Sequence, residues 1–134
     1  MEDKRARGRI LVVDDHQAVR DVVAQALEDG GYLVETAADG LEALEKVSRD
    51  SFDIMFLDVR LPGISGLDVL AKMSREFPET VVVILTAVEG VKVKNASFQH
   101  EAFAYLTKPC NLKDVTDIAE RLLGDNCAEV KTLL

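Results

Sequence analysis

The sequence predicts an α/β fold with a parallel β-sheet, and two observations support this prediction. Five short apolar runs, rich in β-branched or aromatic residues, alternate with segments whose apolar residues recur at helical spacing. Regular alternation of strand and helix is typical of βαβ units, in which right-handed crossovers make the strands parallel. A length of 134 residues suits one domain. The predicted strands are residues 9–13, 32–37, 52–57, 80–85 and 102–106.

The polarity of these runs separates central strands from edge strands. "RILVV" (9–13), "FDIMFL" (52–57) and "TVVVIL" (80–85) are nearly continuous in apolar character, as is typical of strands that helices cover on both faces. "YLVETA" (32–37) alternates polar and apolar residues. We therefore predict that this second strand lies nearer an edge of the sheet.

Four of the intervening segments have helix patterns with recognisable ends. The first predicted helix ends at the pair Gly30-Gly31. Asp39 is the predicted N-cap of the second, with Glu42 as its capping-box partner, and the third stops before Pro78. The predicted apolar stripes are Val19, Val22, Val23, Ala26 and Leu27 in the first helix, Val69, Leu70, Met73 and Phe77 in the third, and Leu112, Val115, Ile118, Ala119 and Leu122 in the last.

The segment between the fourth and fifth strands is the least regular. "EGVKVKNASFQHEA" (89–102) combines an alternating VKVK run with apolar residues at helical spacing. We expect a helix here, because strand–helix alternation in the rest of the chain requires a crossover. The β-branched run predicts that residues 89–101 are distorted or more mobile than the last helix.

Composition and charge limit the classes of function. Hydrophobic residues make up 48% and charged residues 30%, the balance of an ordinary soluble globule. The net charge of −8 disfavours contact with phosphate backbones, so we expect no direct nucleic-acid binding. No apolar stretch approaches the ~20 residues that cross a bilayer, so we expect no membrane contact. Cys110 and Cys127 have no CxxC spacing, as is typical of free thiols in a reducing cytoplasm.

Polar residues stand where four of the predicted strands end. Asp14 and Asp15 follow the first strand, Asp58 the third, Thr86 the fourth and, one residue on, Lys108 the fifth. The carboxyl ends of parallel strands meet at one rim, so these residues should converge on one pocket. Three carboxylates and a lysine suit a hard cation such as Mg²⁺. Mg²⁺ beside a lysine and a hydroxyl is the usual arrangement for phosphoryl transfer.

Four motifs occur in order along the chain: "VVDD" (12–15), "LDVRLPGISG" (57–66), "LTA" (85–87) and "YLTKP" (105–109). Each motif alone is weak, but the ordered set is highly specific. With these motifs the sequence resembles a response-regulator receiver domain of two-component signalling.

The resemblance covers residues 9–123 and leaves 1–8 and 124–134 as terminal extensions. It implies a doubly wound (βα)5 domain, a flavodoxin-like three-layer sandwich whose parallel sheet has the strand order 2-1-3-4-5.

Carried over residue by residue, the resemblance implies a metal-assisted phospho-acceptor. Asp58 would accept the phosphoryl group. Asp14, Asp15, Asp58 and the backbone carbonyl of Arg60 would bind Mg²⁺, for which Mn²⁺ could substitute. Arg60 and Val88 would tune the lifetime of the phosphoryl group, and we expect slow self-dephosphorylation.

The resemblance also implies a switch. Lys108 would pair with Asp58 and then with the phosphoryl group, the Thr86 hydroxyl would bind a phosphoryl oxygen, and Tyr105 would swing inward behind it. Pro109 would follow the lysine through a cis peptide bond. The signal would leave through the face formed by the fourth helix, the fifth strand and the fifth helix.

Partners and alternatives follow from the same resemblance. The phosphoryl donor would be a sensor histidine kinase or a phosphotransfer protein. The recipient of the signal would be a downstream effector or an output domain, and two phosphorylated copies could form a homodimer. Such a domain is cytoplasmic and catalyses its own phosphorylation rather than turning over a substrate. One alternative is a phosphorylation-independent pseudo-receiver that only docks partners, but the intact acids disfavour it. The other is a flavodoxin-like nucleotide binder, and the lack of a glycine-rich phosphate loop in the sequence disfavours it.

Two histidines and two glycines are the remaining residues considered for the predicted site. His16 and His100 lack metal-site spacing. We expect His16 at the exposed start of a helix, with tuning of the adjacent acid pocket as its alternative role. Gly63 and Gly66 should shape the turn after Pro62 and start the third helix.

Overall fold

The computed structural model describes residues 8–86, 104–107 and 112–123. Strands and helices alternate along these residues, apart from the undescribed segment between the fourth and fifth strands. The elements are β1 (Arg9–Val13), α1 (Gln17–Asp29), β2 (Leu33–Ala37), α2 (Gly40–Arg49), β3 (Ile54–Asp58), α3 (Gly66–Glu76), β4 (Val81–Thr86), β5 (Ala104–Thr107) and α4 (Leu112–Leu123).

The five strands form one parallel sheet in the order β2-β1-β3-β4-β5. The predicted parallel sheet and its order are thus confirmed, and β2 lies at an edge, as its alternating polarity indicated. The strand order reverses at β1, which pairs with β2 on one side and with β3 on the other. In open α/β sheets, ligands bind beside such a reversal, outside the carboxyl ends of the strands.

Helices cover both faces of the sheet, and alternate residues of each strand face opposite layers. In β1, Leu11 and Val13 belong to the cluster that includes α2 and α3, whereas Ile10 and Val12 belong to the cluster with α1 and α4. All five residues of β3 are buried. Burial of each large apolar side chain contributes about 1.5–3 kcal/mol, so continuous apolar strands are stable only between two helical layers.

The helices begin and end at the predicted signals. Asp39 caps α2: its Oδ1 accepts a hydrogen bond from the Glu42 N–H at 2.8 Å. In return, Glu42 Oε1 accepts from the Ala38 N–H at 2.9 Å, one residue before the usual capping-box position. Gly30 is the C-cap of α1, and α3 ends at Glu76, two residues before the proline.

The predicted apolar stripes of α1 and α4 are wider than the buried faces. Val23 and Leu27 are buried in α1, but Val22 is 51% exposed. Successive helical residues lie about 100° apart, so Val22 points away from the face that Val23 buries. Leu112, in the first turn of α4, is likewise 39% exposed. Only the central line of each stripe therefore contributes fully to the core.

Some predictions fall outside the described residues. They include the crossover helix expected between β4 and β5, the distortion or mobility of residues 89–101, and the cis peptide before Pro109. Among the residues that the structure describes, no helix is both long and apolar enough to traverse a membrane.

Candidate functional site

The first and third strands bring two aspartates to the same edge of the sheet. Val13 of β1 is in register with Leu57 of β3, and the next residue along each strand is an aspartate, Asp14 and Asp58 respectively. Their backbones therefore occupy neighbouring positions at the carboxyl end. The predicted convergence of these two acids is a direct consequence of parallel pairing.

The fourth and fifth strands extend the same edge. Asp58 is in register with Leu85, so Thr86 lies one residue further along β4. Thr86 is in register with Thr107, the last residue of β5. Lys108 comes next in the sequence and, with Val88, Pro109 and Cys110, lies outside the described residues.

Asp14 and Asp58 are both buried, with exposed fractions of 0% and 4%, and they are the only buried polar or charged residues among those described. Desolvating a carboxylate costs several kcal/mol unless hydrogen bonds or opposite charges offset that cost. Burial of two carboxylates at one rim therefore indicates a site that interacts with cationic groups.

Backbone and side-chain hydrogen bonds fix the turn around Asp14. Its N–H donates to the Ala37 carbonyl at 3.1 Å, and its carbonyl accepts from Arg20 Nη1 at 2.7 Å. Its Oδ1 accepts from the His16 N–H at 2.9 Å. These bonds connect β1 to β2 and α1, so the position of the carboxylate depends on all three elements.

The loop after β3 folds tightly around Asp58. Asp58 Oδ1 accepts from the Arg60 N–H at 3.1 Å, and the Gly66 N–H donates to the Val59 carbonyl at 2.9 Å. A Cβ at Gly66 would collide with the Asp58 carbonyl oxygen and would lie 2.7 Å from Val59 Cα. Gly63 has a φ of +77°, a conformation that glycine adopts at little cost. Both glycines thus shape the turn and the start of α3, as predicted.

Asp15 and His16 form the exposed side of the site. The His16 Nδ1 atom lies 3.0 Å from Asp15 Oδ1 and 3.3 Å from Asp14 Oδ1. One donor atom from each of these three residues lies within 4.8 Å of the other two. Within the part of the chain that the structure describes, Asp58 is not a member of this compact group.

The donor set fits a hard divalent cation. Asp14 and Asp15 offer carboxylate oxygens within one compact group, and the buried Asp58 carboxylate lies on the adjacent strand. Oxygen ligands of this kind suit Mg²⁺, whose charge would offset the repulsion between the acids. The N-terminus of α1 follows directly after His16 and adds a positive partial charge beside the carboxylates.

Sequence reasoning missed two contacts at this site. The Arg20 hydrogen bond to the Asp14 carbonyl crosses the β1–α1 turn, and no spacing rule distinguishes Arg20 from the other arginines of the chain. His16 does start a helix and is exposed, as expected, but its ring also approaches both acids. The geometry of the turn, rather than any motif, brings these three consecutive residues together.

Comparison with known proteins assigns the family. The family model described as the response regulator receiver domain matches residues 10–120, so the chain belongs to this family. The receiver domain is a module of two-component signalling, and the resemblance given by the four motifs is confirmed.

Individual relatives agree with this assignment. The response regulator MprA of Mycobacterium leprae is 38% identical over 125 residues, which are 90% of this chain and 55% of the relative. The alginate biosynthesis transcriptional regulatory protein AlgB of Pseudomonas aeruginosa is 44% identical over 105 residues, 78% of this chain and 23% of the relative. The chain thus spans about half or less of the length of these curated relatives.

Two solved receiver structures are matched over almost their full length. A CheY-like receiver domain protein from Methanospirillum hungatei has a TM-score of 0.82 at 32% identity, covering 90% of this chain and 97% of that chain. The response regulator TrrA of Thermotoga maritima, solved in complex with Mg²⁺-BeF, has a TM-score of 0.78 at 32% identity and covers 86% and 98%. The flavodoxin-like topology of the described residues is therefore that of the family.

Proposed function

We propose that this chain is a phosphoacceptor receiver in which Asp58 accepts a phosphoryl group from a phosphohistidine, with Mg²⁺ in the acid pocket. The observation that carries the proposal is the buried Asp58 carboxylate, 4% exposed, in a family whose members receive signals in two-component systems. The donor would be a sensor histidine kinase or a phosphotransfer protein. The functional unit would be residues 9–123, acting in the cytoplasm.

The chemistry at Asp58 would be an in-line displacement. A carboxylate oxygen attacks phosphorus, the P–N bond of the phosphohistidine breaks, and the imidazole of the donor leaves with that electron pair. The Arg60 N–H hydrogen bond to Asp58 Oδ1, 3.1 Å long, would orient the carboxylate for this attack. The step makes an acyl phosphate and needs no further reactant.

Asp14 and Asp15 would bind the metal, together with Asp58 and the Arg60 carbonyl. Bound Mg²⁺ would neutralise charge on the transferring phosphoryl group, and Mn²⁺ could replace Mg²⁺. Arg20 would act through Asp14, because its guanidinium holds the carbonyl of that residue at 2.7 Å. The burial of Asp14 favours a preformed pocket over one assembled on binding.

We further propose that the remaining rim residues read the phosphoryl group. Lys108 would pair with it, the Thr86 hydroxyl would bind one of its oxygens, and Tyr105 would move inward. Pro109 would set the loop through a cis peptide, while Arg60 and Val88 would control hydrolysis. A fourth crossover helix would complete the (βα)5 fold, and the face that it forms with β5 and α4 would contact an effector, an output domain or a second phosphorylated copy.

Intact-mass spectrometry after incubation with acetyl phosphate and Mg²⁺ tests the proposal. We expect one phosphoryl adduct on the parent protein, none on an Asp58→Asn variant, and none when EDTA removes the metal. The exposed Asp53→Asn variant is a matched control that should still be labelled. If the parent accepts no label from acetyl phosphate or from phosphorylated histidine kinases, the phosphoacceptor role is refuted and the docking-module alternative gains support.

A further inference from the structure

The His16 side chain is not used to cap α1. His16 is the N-cap residue of this helix, yet its side chain makes no capping hydrogen bond. N-cap positions favour Ser, Thr, Asp and Asn because their short side chains bond to the first free N–H groups. The imidazole instead directs Nδ1 at Asp14 and Asp15 while its side chain stays 70% exposed. Its orientation is therefore set by the acid pocket.

The two distances from His16 Nδ1 to the carboxylate oxygens are those of neighbouring ligands on one ion. With bonds of about 2.1 Å, adjacent ligands lie about 3.0 Å apart in octahedral and about 3.4 Å apart in tetrahedral coordination. His16 Nδ1 lies 3.0 Å from Asp15 Oδ1 and 3.3 Å from Asp14 Oδ1. The same distances suit hydrogen bonds to the carboxylates. Measurements of metal binding distinguish ligation by His16 from hydrogen bonding alone.

We propose that His16 is a nitrogen ligand of the acid pocket, and that it makes this receiver favour borderline first-row ions such as Ni²⁺, Co²⁺ and Zn²⁺ over Mg²⁺ more strongly than carboxylates alone would. The inference rests on the proposed metal site. Imidazole is a good ligand for these ions and a poor one for Mg²⁺, which prefers oxygen. A neutral imidazole adds no negative charge, so Mg²⁺ gains little from it.

In the metal-bound form, Nδ1 would donate its lone pair to the ion, and the ring proton would sit on Nε2. No oxidation and no group transfer are involved. The exposed side chain of His16 allows the small ring rotation that ligation requires, and the buried Asp14 carboxylate supplies a fixed second ligand. A site with one rigid and one adaptable ligand can accept ions of different radius.

Isothermal titration calorimetry with Ni²⁺ and with Mg²⁺, at one mildly alkaline pH, tests this inference on the full chain. We expect a His16→Gln variant to lose at least about tenfold in Ni²⁺ affinity, since even outer-shell changes cost that much. Its Mg²⁺ affinity should stay within about threefold of the parent, because the carboxylates are unchanged. A His100→Gln variant is the matched control for the second histidine of the sequence and should retain the parent's Ni²⁺ affinity.

A spectroscopic measurement gives an independent readout. With paramagnetic Co²⁺, the ring protons of His16 should show large contact shifts in NMR spectra, and excess Mg²⁺ should remove these shifts if both ions share the site. Equal changes of Ni²⁺ and Mg²⁺ affinity in His16→Gln, or no change in either, would overturn the proposal and show that the ring only hydrogen-bonds to the acids. Failure of the parent to bind Mg²⁺ would contradict the proposed function instead, whereas a selective loss of Ni²⁺ binding would still support the His16 ligand.

Discussion

Gly66 is the position where one added methyl group should disturb both the fold and the acceptor site. It is the first residue of α3, and its N–H bonds to the Val59 carbonyl at 2.9 Å. A Cβ on Gly66 would collide with the Asp58 carbonyl oxygen, and it would lie 2.7 Å from Val59 Cα and 3.0 Å from the Asp58 carbonyl carbon. All three atoms belong to the backbone, so no side-chain rotation can relieve the contact.

The cost of Gly66→Ala follows from these contacts. Overpacking costs typically about 1–3 kcal/mol, and because the neighbouring atoms belong to the rigid backbone, we place this case at about 3 kcal/mol. Loss of the hydrogen bond to the Val59 carbonyl adds about 1 kcal/mol. The better helix propensity of alanine returns at most about 1 kcal/mol. We therefore expect a net decrease of about 3 kcal/mol in the free energy of unfolding.

Urea denaturation measures this decrease, and Gly63→Ala is the matched control. Gly63 has a φ of +77°, but a Cβ added there would have no atom within 4 Å, so alanine should cost only about 1–2 kcal/mol of backbone strain. Because relief of the clash at residue 66 displaces the Asp58 backbone, Gly66→Ala should also slow phosphorylation, whereas Gly63→Ala should not. A Gly66→Ala protein within about 0.5 kcal/mol of the parent would refute the steric argument.

Two further predictions concern the metal pocket. Arg20→Met removes the 2.7 Å hydrogen bond to the Asp14 carbonyl, so it should lower the free energy of unfolding by about 1.5–3 kcal/mol and weaken Mg²⁺ binding several-fold in calorimetry. The control variant Arg75→Met, at an exposed position, should change neither quantity. Unchanged Mg²⁺ affinity in Arg20→Met would contradict the role of Arg20 in positioning Asp14. Mg²⁺ at ten times its dissociation constant should stabilise the fold by about 1.4 kcal/mol in thermal unfolding. EDTA or an Asp15→Asn substitution should remove most of that gain, and a gain that persists in Asp15→Asn would exclude Asp15 as a ligand.

The sequence alone was sufficient for the sheet and for the acid rim. Continuous apolar runs predicted the buried strands β1, β3 and β4, and the alternation of "YLVETA" predicted the edge position of β2. Once strands and helices alternate, the sheet must be parallel and the carboxyl ends of its strands must meet at one edge. Asp14 and Asp58 could therefore be placed together from their positions at strand ends, although they are 44 positions apart in the sequence.

The tertiary structure alone decided what each of these residues contacts. Asp14 and Asp15 are adjacent and chemically identical, yet Asp14 is fully buried and the Asp15 side chain is 38% exposed, because the chain leaves the sheet between strand and helix. The approach of His16 to both acids and the bond from Arg20 to the Asp14 carbonyl depend on that same turn. Periodicity determines which element a residue joins, but the dihedral angles of a turn determine where its side chains point, and no repeat in the sequence encodes them.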